Sequence, residues 1–336
     1  MSITFMKTCV VPFGIAPSEE RQALQLVEIC GRTAYKSEDK ITDDSARSFV
    51  LMLKKHGHLS VLEHSNIVLV FHENAQSPQT GDRISLGGLW ESLFKWLGPR
   101  NAYHRICMLP DSGGLAVSGS FRAWIETLQQ VEESMSPCAD ILKHHLNRYF
   151  PNIFPDAGTT AHGGGFSTSL LAPEQQLQFL KQDSGSDLPL FVFKFICDRG
   201  ITHEVVRHRV LSFTQESTRY VNYRNKGMAL ILPEELEPCF VEEAGTFIGN
   251  DPIAREWMDR AETLFHWYQA DLARGLRPEI ARDILPNLLK SEIFVSGRWS
   301  GWKHFVLLRD SPQAHPRIRA IAGQVRKHFE GMGMSF

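Results

Sequence analysis

The residues most able to do chemistry lie between 199 and 226. Arg199, Arg207, Arg209, Arg219, Arg224 and Lys226 face only Glu204 and Glu216 in charge, which makes the window +4 inside a chain whose formal net charge is -2. Positive charge concentrated in this way points to an anionic ligand. Arg207, His208 and Arg209 are consecutive, on a helix that the pattern predicts from a Thr202 cap to about Leu211. At about 100° per residue their side chains fan over about 200°. At least one must therefore point toward the core or an interface, where an unpaired charge is costly. A ligand phosphate or a partner subunit would relieve that cost. Glu204 shares a helical face with Arg207 and His208 and can orient an arginine.

The run Ser212-Phe213-Thr214-Gln215-Glu216-Ser217-Thr218-Arg219-Tyr220 follows. Its hydroxyls, amide and guanidinium are groups that can read a pyrimidine ring and a phosphate together. The plain alternative is a solvated helix and a polar loop. An isolated basic tripeptide would favour that alternative, whereas the adjoining polar run favours a ligand site.

The elements around this cluster can be read from periodicity. Ser18 can cap a helix running through Leu24 and Val27 to Cys30, and Asp43 or Asp44 a second one with Ala46, Phe49, Val50 and Leu53 on one face, closed by Gly57. Ile67 to Phe71 reads as a strand, as does Leu188 to Cys197. A long amphipathic helix is predicted at 253–274, with shorter ones near 277–285, 299–308 and 316–329. The segment from about 72 to 187 reads as an insertion with helices near 120–134 and 138–149. Its loop Thr159-Thr160-Ala161-His162-Gly163-Gly164-Gly165 has no following Lys-Ser/Thr, so it does not read as a phosphate cradle. A passive insertion is preferred here over a substrate lid.

Composition sets the outer limits. The 336 residues are 43% hydrophobic and 22% charged, ordinary for a globular chain with a sizeable core. Six cysteines at 9, 30, 107, 138, 197 and 239 form no CxxC pair, so we expect reduced thiols and no metal site. The opening residues make a poor signal peptide, and no apolar run approaches the ~20 residues of a membrane span. The expectation is a cytoplasmic protein with neither membrane nor nucleic acid as partner.

Arg207-His208-Arg209, seven residues and then Ser217 resemble the RHR-x7-S motif of flavin-dependent thymidylate synthases, and THEVVRHRVLSFTQESTRY at 202–220 looks like that family throughout. Gly57-His58-Leu59-Ser60-Val61-Leu62-Glu63-His64 resembles its GHxSxxEH stretch. Ala281-Arg282-Asp283-Ile284-Leu285-Pro286 resembles its AR-x-x-LP segment, and Trp302-Lys303-His304-Phe305, Leu308-Arg309 and Ala314-His315-Pro316 its closing helices. The resemblance covers roughly 24–71 and 188–329. It implies an α/β domain of the α+β type, with a central mixed or antiparallel sheet flanked by helices, here carrying a mainly helical insertion. It also implies a homotetramer with active sites at subunit interfaces.

The implied activity is reductive methylation of dUMP to dTMP, with FAD as cofactor, NADPH as reductant and methylenetetrahydrofolate as carbon donor, and without a cysteine nucleophile. The resemblance assigns catalysis to Arg309, Arg207 and Ser217. It assigns dUMP to Glu204, Arg207, Gln215, Glu216, Ser217, Thr218, Arg219, Arg282 and Arg309, with the backbone of 216–218 contributing. The flavin falls to His58, Ser60, Arg207, His208, Arg209, Gln215, Arg298 and His304. Arg309 is the implied guanidinium at the uracil edge, a fixed charge that stabilises negative charge as it develops.

The chain departs from the pattern at several positions. Arg298 stands where many members have Asn, Ser300 where they often have Arg, Gln215 where some have Glu, and Ala34 where Cys or Ser is common. Arg298 is long enough to reach a flavin phosphate or to block the ring pocket. Two other readings remain at this point: a flavin- and nucleotide-binding homologue without methyl transfer, and a nucleic-acid-binding protein using the basic cluster on phosphates. The slightly negative net charge and the local extent of the cluster argue against the second.

Overall fold

The computed structural model describes residues 3–73, 84–98, 103–109, 112–131, 136–155, 165–183, 186–224, 227–243 and 246–336. Of the residues singled out above, Thr159–Gly164 and Lys226 lie outside these. In chain order the elements begin with β1 (Ile3–Met6), β2 (Cys9–Ile15), α1 (Glu20–Tyr35), α2 (Ser45–Lys55) and β3 (Ile67–Glu73). The inserted segment supplies α3 (Leu86–Leu97), β4 (His104–Met108), β5 (Leu115–Gly119), α4 (Phe121–Gln129), α5 (Ser136–Tyr149), β6 (Phe166–Leu170) and α6 (Pro173–Gln182). Then come β7 (Leu190–Asp198), α7 (Arg199–Val205), β8 (Ser212–Gln215), β9 (Met228–Ile231), β10 (Phe240–Glu243), β11 (Thr246–Gly249), α8 (Pro252–Ala273), α9 (Pro278–Ala281), β12 (Lys290–Arg298), α10 (Trp299–Arg309) and α11 (Pro316–Gly331). None of the described helices is long and apolar enough to cross a membrane.

Two four-stranded antiparallel sheets organise the chain, in the orders β2-β7-β12-β8 and β4-β5-β3-β6. Strand β7 is apolar almost throughout because the first sheet is covered on both faces. Its alternation sorts side chains between two cores. Val192, with Phe294 of β12, joins a cluster containing Val27 of α1 and Val50 of α2. Phe191, Phe193 and Phe195, with Ile293 and Val295 of β12, pack against Trp302, Phe305, Ile321 and Phe329 of α10 and α11. A third cluster gathers Phe5, Tyr223, Leu230, Phe265 and Tyr268 beneath α8. The one parallel pairing among the described strands is β1 with β9.

The sequence pattern anticipates α4 and α5 of the insertion but not α3, α6 or its strands. Strands β4, β5 and β6 assemble around β3 into the second sheet. Leu93, Val117, Phe121, Trp124 and Phe150 of the insertion belong to the same apolar cluster as Val27 and Val50. Strands of only five residues carry little periodic signal.

Local expectations differ at three helix starts and ends. Ser18 does not cap α1, because its Oγ donates to Leu171 O at 2.6 Å and so ties the entry of α1 to the insertion. The cap of α7 is Asp198, which accepts from Ile201 N at 3.0 Å, while Thr202 lies inside the helix. Helix α7 stops at Val205, well short of the predicted end near Leu211.

A buried arginine fastens the insertion to the core. Arg298, at the end of β12, is 8% exposed. It donates to Asp187 O at 3.0 Å and Leu188 O at 2.8 Å, and to Ser118 Oγ of β5 at 3.0 Å. Asp187 in turn accepts from Ser300 Oγ at 2.5 Å at the start of α10. Burial pulls the Arg298 guanidinium down to about 10, with Arg105 adding repulsion and Asp187 opposing both, so it stays charged at neutral pH. Replacing Arg298 by Met keeps the bulk and strands three acceptors. We expect a loss of about 2–4 kcal/mol, read as a lower urea midpoint at unchanged m-value.

Candidate active site

The motif Arg207-His208-Arg209 lies in a turn after α7 rather than on a helix. His208 N donates to Val205 O at 3.2 Å and Leu211 N to His208 O at 2.9 Å, which carries the chain directly into β8. Close packing fixes where the turn lands, since a Cβ at Gly297 of β12 would fall 2.2 Å from Leu211 Cδ2. The inward-facing residue is His208, 5% exposed, and both arginines are exposed. The cost foreseen for a buried unpaired cation is thus avoided, because the group turned inward is a neutral imidazole.

Arg309, at the end of α10, holds that imidazole. Its Nε donates to His208 Nε2 at 2.9 Å and its NH1 to Glu204 Oε2 at 3.2 Å, while NH2 lies 3.4 Å from Glu204 O. Arginine has only donors, so His208 Nε2 accepts and the ring proton sits on Nδ1. Burial, with Arg309 and then His304 adding repulsion, pulls His208 down to about 4. The ring packs edge-on against Phe305 at 4.9 Å. Glu204 does orient an arginine, as its position allows, and that arginine is Arg309 rather than Arg207. Among the described residues three of the five guanidinium N–H bonds find partners, which leaves two for a ligand.

The polar run after the turn is held on its other side by separate contacts. Gln215 Nε2 donates to Thr202 Oγ1 at 2.9 Å and Ser291 Oγ at 3.1 Å. Ser217 Oγ accepts from Arg219 N at 3.3 Å, and Thr218 Oγ1 accepts from Arg282 NH1 at 3.0 Å. Arg219 is exposed and lies over the Tyr220 ring at 5.6 Å. The Tyr220 ring meets Tyr35 at 5.3 Å, and the Tyr35 hydroxyl lies 3.3 Å from His58 Nδ1.

Glu216 departs from its expected role. It is 3% exposed, accepts from Tyr223 OH at 3.1 Å, and pairs with Lys290 at 3.3 Å and Lys36 at 3.4 Å. The same lysines hold Glu292, which Lys194 also reaches at 3.1 Å. Burial alone would raise the Glu292 carboxyl, but Lys290 and Lys36 outweigh it and hold it at about 2. The backbone contribution foreseen for 216–218 is narrower too. Glu216 N is bonded to Glu292 O at 2.8 Å and Ser217 N to Ala34 O at 2.9 Å.

A cleft of about 660 Å³ collects a second set of the expected residues: Ser60, Arg209, Arg298 and His304. It also collects Glu63 and Ser300, and with them Tyr103, Arg105 and Arg122, which the sequence reading did not single out. Glu63 accepts from Ser212 Oγ and, at 2.8 Å, from Arg122 of α4. Tyr103, Arg105 and Ser300 line it as well, and Arg105 and Ser300 both meet Asp187 Oδ2. No local pattern marks Tyr103, Arg105 or Arg122, because the pairing of β3 with β5 and β5 with β4 is what carries the insertion to this place. Arg298 lines the cleft, but three of its donors are committed to internal acceptors.

Each of the six thiols is raised above its ordinary range. Burial is the first cause for five of them, taking Cys107 to about 11, and a hydrogen bond with Asp251 is the first cause for Cys239. All are protonated at neutral pH and poor nucleophiles.

Comparisons with known proteins agree with the motif region. Residues 179–332 match the model of the family described as thymidylate synthase complementing protein. A flavin-dependent thymidylate synthase of Pyrococcus abyssi is 32% identical over 128 residues, covering 38% of this chain and 48% of that protein. One from Mycobacteroides abscessus is 32% identical over 126 residues, covering 37% and 50%. The chain thus spans about half the length of the curated relatives it matches. A crystal structure of a UMP/dUMP methylase, PolB from Streptomyces cacaoi, is 22% identical, covering 47% of this chain and 78% of that one at a TM-score of 0.35.

The depressed His208 sets a testable sign. Its folded value lies below the ordinary 6.5, so the stability it contributes is complete above that pH and is lost as pH falls through about 4. An NMR titration should find this ring neutral at pH 5.5, whereas a midpoint near 6.5 would contradict the Arg309 contact. On these comparisons, the part of the chain from 179 to 332 carries the signature of the thymidylate synthase complementing protein family.

Proposed function

We propose that this chain methylates dUMP to dTMP as a flavin-dependent thymidylate synthase, using FAD, methylenetetrahydrofolate as carbon donor and NADPH as reductant. The observation that carries this reading is Arg309, held between Glu204 and a neutral His208, with two N–H bonds left over. A guanidinium fixed in this way stays charged and costs no reorganisation as negative charge develops on a uracil edge. Because His208 accepts from Arg309, it serves to orient that group and not to donate a proton through Nε2. The protonated thiols are consistent with activation of the pyrimidine by charge rather than by thiol attack.

The residues also fit the cofactor. The cleft volume of about 660 Å³ lies in the range of small-molecule sites, and Ser60, Arg209 and His304 line it. In this reading Arg209 meets a phosphate and His304 borders the ring, which when bound supplies the hydride that completes the methyl group. Arg207, exposed on the same turn, is shared between nucleotide and cofactor. Ser217, Arg219 and Arg282 receive the dUMP phosphate and carbonyl groups, with Gln215 and Thr218 positioning them. His58 borders the nucleotide side through Tyr35.

The expected residues divide between the cleft and the Ser217–Arg282 side of one chain. Val206, Val210, Leu307 and Leu308 are exposed around the turn and along α10. A split site flanked by exposed apolar residues favours completion between subunits, and the proposed assembly is a homotetramer in the cytoplasm.

The visible spectrum of the purified protein tests the reading first: oxidised-flavin absorbance should appear and be bleached by NADPH. Tritium release from C5-labelled dUMP tests methyl transfer. Arg309→Lys should lower that release about 10²–10³-fold while the flavin spectrum is retained. Wild-type turnover in this variant would remove the role given to Arg309.

A further inference from the structure

One charge in the cleft is at odds with the ligand proposed for it. Glu63 is the single carboxylate among the described residues that line it, and it stands there with Arg209, Ser212 and His304. A bare carboxylate would repel an anionic cofactor. The fold nevertheless uses this one. Glu63 lies in the 3₁₀ segment Leu59–His64, and its Oε2 accepts from Ser212 Oγ, where the turn carrying Arg207–Arg209 enters β8. The next residue, His64, is fully buried and bridges Thr214 Oγ1 of β8 and Ser296 Oγ of β12, each at 2.9 Å. Ser65 Oγ then accepts from Phe121 N of α4 at 2.8 Å. The run 63–65 thus ties the strand after the motif turn to the insertion. Helix α4 brings Arg122 to the same carboxylate: NH1 donates to Glu63 Oε1 at 2.8 Å, and Nε to Glu126 Oε1 at 2.8 Å. One Glu63 oxygen is therefore held by the end of the turn and the other by a cation. The side chains of Arg122 and Glu63 are 36% and 19% exposed, so the pair adds little to overall stability. What it changes is the charge that the cleft presents.

We propose that Arg122 of the insertion is a positioning residue for cofactor binding: it neutralises Glu63, so that this carboxylate anchors Ser212 without repelling an anionic ligand in the cleft. The inference rests on the proposed function for that ligand, whose anionic part is then the diphosphate of FAD.

Flavin fluorescence titrations with FAD and with riboflavin, which lacks phosphate, test the assignment. At low salt Arg122→Met should weaken FAD binding about tenfold and leave riboflavin binding unchanged, because only the phosphates meet the uncovered charge. The FAD deficit should shrink at high salt, where the repulsion is screened. Arg122→Lys keeps the charge and should restore most of the loss. Adding Glu63→Gln to Arg122→Met removes the unpaired carboxylate and should recover FAD affinity, a coupling that independent sites would not show. Unchanged FAD affinity in Arg122→Met would overturn the inference, as would a double variant that binds FAD no better than Arg122→Met alone. Equal loss of FAD and riboflavin in Arg122→Met would mark a structural role and overturn it as well. In each of these cases the proposed function stands. A wild-type chain that binds neither flavin would instead remove that function, and the inference with it.

Discussion

Strand β12 is the constraint on which the other arrangements depend. It pairs with β7 along its whole length and with β8 over Ile293–Ser296, so Ile293 stands opposite both Phe195 and Gln215. Period-2 alternation then sends Phe294 to one core and Ile293 and Val295 to the other. The same strand presents Ser291 to Gln215, Glu292 to the lysines and Arg298 to the insertion. A one-residue slip would turn each of these side chains to the opposite face. The register therefore fixes both cores and both groups of candidate site residues at once.

Electrostatics follows from where that register leaves each group. Carboxylates buried beside β12 are matched by lysines from different elements, and the imidazole turned inward after α7 is neutral. Exposed positive charge collects on the outer side, at Arg207 and Arg209. Arg309 is intermediate: anchored by Glu204 and His208, yet with donors to spare. A site built this way keeps its cations fixed before a ligand arrives, which is how preorganised charge stabilises a developing anion.

The insertion is woven into the same frame. Its strands extend from β3, its apolar residues share a core with α1 and α2, and Arg298 joins its β5 to the end of β12. The Arg298 and Ser300 departures from the family pattern acquire a physical reason here. Arg298 satisfies acceptors at the seam, and Ser300 secures Asp187 at the start of α10. The passive role first expected for the segment leaves out Tyr103, Arg105 and Arg122 on the cleft wall.

What the sequence determined by itself was local or motif-bound. The 3.6-residue stripes of α8 and α11 and the apolar run of β7 were legible because each element buries a face that its own periodicity marks. The charge excess around Arg207–Arg219 was legible as composition. Tertiary structure alone decided which of the three motif residues turns inward, because α7 ends at Val205 where the chain must reach β8. It also decided that Glu216 is sequestered by lysines some 74 to 180 positions away, and that β4 and α4 reach the cleft. Such partners meet through strand register and packing, and these depend on the whole chain closing around its cores rather than on any window of it.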